Sequence, residues 1–293
     1  MTEYSETTKS YKHINTFKMK SLVNKTFASI MLASMYGVFA PAQTIVLHGD
    51  VNGDDKVNVA DISSLITSIS NGDTVITDKT PEEVNFIDLG LPSGTKWANM
   101  NLGALSQEDN GFYFAWGDTC TIKDNYYEFN WEHYTWLSEE GEAKEDIQKY
   151  QVYDGLTSGD WFIEGEFCGD NRAVLLLEDD AANNMWGGYW RMPTYEDFVE
   201  LITYCTSSWE EVSGKKGRKF TSKINGECVF FPAAGWKTNA IHERDNEYGY
   251  YWSATVYPTY TPNAYYLYIN FGNVRTNDTP RCYGLSIRPV YKK

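Results

Sequence analysis

YGYYWSATVYPTYTPNAYYLYINFGNVRTNDTPRCYGLSIRPV (Tyr248–Val290) reads as a series of closely spaced strands. Apolar and aromatic residues fill Tyr250–Val256 and Ala264–Phe271, the second run turns through Gly272-Asn273 into Val274, and Gly284–Val290 closes the sheet. Tyr, Asn and Thr stand between Gly, Trp, Arg and Pro. Tyr supplies rigid amphipathic area, and Asn, Ser and Thr supply hydrogen bonds at modest entropic cost, which is the chemistry of an adaptable contact surface. The stretch holds no nucleophile beside a base. It predicts a binding module rather than an enzyme.

Working back along the chain, composition turns aromatic and glycine-rich from Val84. Phe86–Ala104 alternates short apolar runs with a Leu-Pro-Ser-Gly turn, and Gly111–Thr119 is another short strand. Residues Ile122–Asp160 carry Tyr, Trp and acids with little pattern and predict a long surface insertion. The best helix follows Thr194 as N-cap, with Glu196 and Asp197 in its first turn and Phe198, Leu201, Ile202 and Cys205 on one face. KFTSKING and ECVFFPAAGW (Lys219–Trp236) predict two strands joined at Asn225-Gly226, and Lys237–Gly249 a polar loop.

The chain has 293 residues and a net charge of −15. A segment from Met19 has basic residues (Lys20, Lys25), an apolar centre (Phe27 to Phe39) and a small-residue exit, Ala40-Pro41-Ala42, the anatomy of a secretory signal peptide. Its centre is too short to favour a transmembrane span, so the expectation is a secreted chain, periplasmic or on the cell surface, with no membrane insertion after signal removal. Beyond residue 42, 20 Lys and Arg face 38 Asp and Glu, a net −18 that repels phosphate backbones and argues against nucleic acid as partner. The five Cys are odd in number and form no CxxC. Cys205–Cys228 is a candidate bridge, but small buried thiols are the favoured reading.

GDVNGDDKVNVADISSLITSIS (Gly49–Ser70) spaces oxygen donors for one Ca²⁺: the side chains of Asp50, Asn52, Asp54, Asn58 and Asp61, with the carbonyl of Lys56. Ile62, Leu65, Ile66 and Ile69 predict an amphipathic helix after it. Asp55 replaces the Gly of the usual turn and Asp61 the longer Glu, so the expected affinity is weak, on the order of 10⁻⁵–10⁻³ M. The loop resembles one half of a dockerin, which implies a protein partner for residues 43–70; dockerins carry two such repeats, and a second is absent here. Residues 71–83 read as a linker.

The ordered blocks LGLPSGTKWANMNLGA, GFYFAWGDT, WGGYWRMPTYEDFVELITYC, FPAAGW, GYYWSAT and the terminal R-x-x-G-x-S-I-R-P-V resemble the Fibrobacter succinogenes major paralogous domain over about residues 84–291. The resemblance implies an α+β fold of C-type-lectin-like type: a twisted antiparallel sheet with flanking helices and long loops, here spanning residues 84–293, with the small calcium motif before it. It also implies a non-enzymatic protein binding a glycan or protein ligand. Similar domains serve as variable receptors of diversity-generating retroelements, and the residue mix near the C-terminus is compatible with that. The alternative is an accessory subunit of a cell-surface assembly, docking through the calcium repeat. Oxidases of similar fold use a nearby pair of cysteines near the C-terminus to bind copper; in that part of this chain Cys282 stands without a close second thiol, which argues against enzyme chemistry.

Candidate ligand contacts fall in two segments: Tyr257, Thr259, Tyr260 and Asn263, then Asn273, Arg275, Thr276, Asn277 and Asp278. Trp97, Trp116, Trp186, Trp190, Trp236 and Trp252 suit sugar rings, although core packing is the expectation for about four of them. Arg191, Arg281 and Arg288 are read as ties to backbone carbonyls or a buried acid, and His133 and His242 as solvated loop residues.

Overall fold

Val290 pairs with Trp97 on one side and with Arg191 on the other, so the C-terminal segment runs through the middle of a sheet built from distant stretches. In the computed structural model, described for residues 80–81, 83–119, 128–138, 146–153, 161–164 and 166–293, strands dominate. In chain order they are β1 (Phe86–Ile87), β2 (Lys96–Ala98), β3 (Phe162–Ile163), β4 (Glu166–Phe167), β5 (Trp190–Arg191), β6 (Cys205–Val212) and β7 (Lys215–Ser222). Then follow β8 (Cys228–Pro232), β9 (Trp236–Thr238), β10 (Ile241–Glu243), β11 (Tyr248–Val256), β12 (Asn263–Asn270), β13 (Val274–Pro280) and β14 (Val290–Tyr291). Helix α1 (Ala181–Trp186) precedes β5, and α2 (Tyr195–Tyr204) follows it. The architecture is a sheet-rich α+β fold. The segment expected to be a signal, the loop expected to hold calcium (Asp50, Asn52, Asp54, Lys56, Asn58 and Asp61) and most of the expected linker lie outside the described residues.

The sheets are β1-β2-β14-β5, β6-β7-β8 and β11-β12-β13, with hairpins β3-β4 and β9-β10, and every strand pair in them is antiparallel. Residues 284–286 stitch these pieces together through bridges from Gly284 to Lys237, Leu285 to Phe114 and Ser286 to Tyr251. Helix α2 starts as its sequence dictates. Thr194 Oγ1 accepts the Asp197 N–H while Asp197 Oδ2 accepts the Thr194 N–H, so each side chain satisfies a backbone donor at the helix start. Its Phe198 and Leu201 are buried, and the Phe198 ring stacks 5.6 Å from that of Trp97.

Three stretches depart from expectation. The strand before the Asn225-Gly226 turn spans Lys215–Ser222 rather than starting at Lys219, and it pairs with β6, for which no strand was expected. CTSSWEEV is too polar to read as a strand; it forms because a two-residue Ser213-Gly214 turn, both at positive φ, folds it back on β7. Residues 237–249 are not all loop, since β9 and β10 pair within and beside them. Finally, the insertion is not simply a surface feature: Phe129, Tyr134, Ile147 and Tyr150 are buried, the first three with Tyr113, Ala115 and Cys282.

Cys205 is buried and Cys228 exposed, and both thiols are free. Their strands flank β7 on opposite sides, about 10 Å apart, beyond the roughly 7 Å reach of a disulfide. The favoured reading of an unbridged thiol therefore fits Cys205, while Cys228 is not buried.

Candidate functional site

Strand alternation decides which side chains of β11-β12-β13 share a face. Leu267 and Ile269 of β12, with Tyr251 of β11, point into a core that α2 covers through Phe198 and Leu201, and Val274 packs against it. On the opposite face the register sets Trp252 beside Tyr266 and Asn277, and Tyr250 beside Tyr268 and Arg275. At the Trp252 end this face is buried on β11 and β12. Toward Tyr248, Tyr268 and Arg275 it opens to solvent.

The open end is an aromatic platform. Tyr250 stacks on Tyr266 with ring centroids 5.1 Å apart, meets Tyr268 edge-on at 5.4 Å, and leans on Trp236 at 4.6 Å. Tyr248 lies 5.8 Å from Tyr268, whose ring carries the Arg275 guanidinium 5.2 Å above it. Asn270 Nδ2 donates to the Tyr268 hydroxyl at 2.8 Å, and Asn277 Nδ2 reaches the Tyr266 hydroxyl at 3.5 Å. Burial, then the neighbouring Tyr266 and Tyr268, pushes the Tyr250 hydroxyl above the usual phenol range, and burial does the same for Tyr266 and Tyr268. These hydroxyls stay neutral at ordinary pH, each able to donate and accept.

The sequence-predicted contacts are split by this geometry. Arg275 and Asn277 lie on the platform face. Asn263 and Asp278 lie on the other, where Asn263 Nδ2 donates to Asp278 Oδ2 at 2.7 Å beside Tyr265, and Tyr257 and Tyr195 pack on the Tyr265 ring at 5.2 and 4.3 Å. Thr276 pairs with Leu267 on that same side. Thr259 and Tyr260 are exposed in the β11–β12 connection, and Asn273 in the β12–β13 turn, where Asn270 Oδ1 accepts its N–H at 2.7 Å. The nine residues therefore do not form one site. The platform's Tyr248, Tyr250, Tyr266 and Tyr268 were missed, although the spacing Tyr248-x-Tyr250-x-Trp252 and Tyr266-x-Tyr268 carries the signal.

The remaining Trp and Arg are structural. Trp97, Trp116, Trp186, Trp190 and Trp252 are buried, which leaves Trp236 alone of the six partly exposed. Arg191 forks onto Asp197 at 2.6 and 3.3 Å. Arg281 donates to the carbonyls of Lys149 and Tyr150 with Trp116 under its plane, and Arg288 to Asn101 Oδ1 and the Ala98 carbonyl. His133 is exposed, and His242 Nε2 lies 2.9 Å from the Tyr113 hydroxyl. Burial pushes the Cys282 thiol up to about 12, so it remains protonated. Among the described residues no group of three or more His, Cys, Asp or Glu is placed to hold a metal ion, and no helix is long and apolar enough to cross a membrane.

Residues 207–290 match the model of a domain of unknown function (DUF8237). The match runs from within β6 to the first residue of β14 and so takes in the whole platform sheet. No curated protein and no solved structure matches the chain.

Proposed function

We propose that this is a secreted or surface-displayed ligand-binding protein without enzymatic activity, whose residues 84–293 form a C-type-lectin-like domain related to the Fibrobacter succinogenes major paralogous domain. Its ligand, a glycan or a protein, lies on the platform of Tyr248, Tyr250 and Tyr268, with Arg275 and Asn277 at the rim. The single observation that carries this reading is the half-open aromatic ladder across β11 and β12, flanked by Arg275 and Asn277, which are exposed on β13. Rigid tyrosines that need little ordering, next to adaptable polar groups, favour recognition at low entropic cost. A diversified receptor is one form of this function, since the platform sheet is the part richest in Tyr, Asn and Thr. Calcium at residues 50–61 belongs to the same proposal as a separate element that engages a protein partner.

The test is an array of glycans and proteins probed with the purified chain, in calcium and in chelator. Saturable binding lost in Tyr250→Ala and Arg275→Ala supports the platform. Binding that survives both changes overturns it.

A further inference from the structure

Next to the platform, a cleft of about 290 Å³ opens between the β6–β7 hairpin and the β12–β13 turn, lined among others by Trp209, Lys216, Asn246, Glu247, Tyr248 and Phe271. Trp209 pairs with Arg218 across the hairpin, and Lys216 stands two residues before Arg218, so the three side chains share a face. Arg218 holds the cleft's shape. Its guanidinium lies 5.7 Å from the Trp209 ring and donates to the carbonyls of Asn270 and Phe271, which fixes the turn carrying Phe271. Phe271 is 79% exposed, more than any other aromatic ring among the described residues.

The charge of the hairpin that carries Lys216 also stands out. Ser213–Lys223 holds five basic residues and no acid, in a chain of net charge −15. Four of the five are committed: Lys215 to Asp245, Arg218 to the turn carbonyls, Lys219 to Glu210 at 3.4 Å, and Lys223 to the Thr203 carbonyl at 2.7 Å. Lys216 makes no side-chain hydrogen bond or ion pair among the described residues. Glu211, its cross-strand partner, forms no ion pair with it there, and Glu247 is occupied by Arg244 at 3.2 Å. Asn246 accepts the Lys216 N–H through Oδ1 at 2.7 Å, which leaves its two Nδ2 donors for a ligand. Aromatic walls, an uncommitted ammonium and spare amide donors ask for a ring with one apolar face, one carboxylate and several hydroxyls.

We infer that the cleft is a subsite for a carboxylate-bearing sugar ring, a hexuronate unit, packed against Trp209 and Phe271 with its carboxylate on Lys216. The volume lies at the small end of ligand sites and suits one ring. The apolar face of the sugar covers the aromatic surfaces, and the charge-assisted bonds from Lys216 Nζ select the acid over its neutral counterpart. This inference rests on the ligand-binding reading above but names a subsite beside the platform, with Tyr248 as their shared edge.

The test is calorimetric titration of the full chain with trigalacturonate and, in parallel, with the neutral galactose trimer. The expected result is binding of the acidic trimer about tenfold or more tighter than the neutral one, a preference lost in Lys216→Glu and binding weakened about tenfold in Phe271→Ala. Lys292→Glu, an exposed charge change elsewhere, leaves both unaltered. Equal affinity for the two trimers, no binding of either, or equal losses in Lys216→Glu and Lys292→Glu overturns the inference. Array ligands that depend on Tyr250 and ignore Lys216 leave the platform reading standing while the subsite falls.

Discussion

Tyr250 stacks on Tyr266 at 5.1 Å and 24°, although the residue directly opposite it in the β11–β12 register is Tyr268. The contact is diagonal, within the reach that aromatic side chains have across neighbouring strands. It leaves the Tyr268 ring free to face Tyr248 and the Arg275 guanidinium, so one tyrosine joins the buried and open ends of the platform.

Face parity gives the sharpest test of the site. Tyr250→Ala and Arg275→Ala are expected to weaken ligand binding about tenfold or more, as central aromatic and Arg contacts do. Asn263→Ala and Asp278→Ala, on the opposite face, should change it less than about threefold. Affinities measured on any array-identified ligand check both. Equal losses on the two faces would place the site elsewhere.

Asp197 predicts an acid-sensitive fold. Burial raises its pKa, but the hydrogen bond and charge of Arg191 and the Thr194 bonds outweigh it and hold the carboxyl below its usual value. A depressed native pKa contributes stability that is fully present above the unfolded value of about 3.9 and is lost as pH falls through the native one. Asp197→Asn should cost about 1.5–3 kcal/mol at pH 7 and flatten the acid limb. Urea midpoints at pH 7 and pH 3 for both chains would show it.

Gly235 is a backbone position closed to a side chain. Its φ is +64°, and an added Cβ would sit 2.2 Å from the Glu243 carbonyl oxygen. Gly235→Ala should destabilise by about 1–3 kcal/mol and disturb the start of β9, whereas Gly226→Ala, with open space around its Cβ, carries only the strain of its positive φ. Denaturation midpoints of the two variants rank them.

Arg218 should act on the turn it binds. Removing its guanidinium in Arg218→Ala frees the carbonyls of Asn270 and Phe271. The expected outcome is faster amide exchange at Gly272 and Asn273, with the β1–β2 amides unchanged. Uniform acceleration would indicate global destabilisation instead.

Local chemistry in the sequence foretold part of this structure. Thr194 and Asp197 spell out a helix start in four residues, and Asn225-Gly226 a hairpin, because caps and turns are satisfied by their own neighbours. Strands β11 and β12 of the platform were legible from their apolar and aromatic runs. What alternation alone leaves open is which parity faces the core. That depends on register with β11 and β13, and so Asn263 and Asp278 were grouped with Arg275 although they point the other way. Strand β6 was hidden because Thr206, Ser207 and Ser208 give it no apolar face, and the burial of Phe129, Tyr134 and Ile147 depends on partners far along the chain.

The position of Val290 between Trp97 and Arg191 has a consequence for biogenesis. The four-stranded sheet is completed only once β14 has been made: β1, β2 and β5 are translated before it and wait for a strand about two hundred residues after the first of them. Pairing across such separations is slow. During that wait the edges of β2 and β5 are exposed, and a chaperone that shields sheet edges would be expected to raise the yield of folded protein.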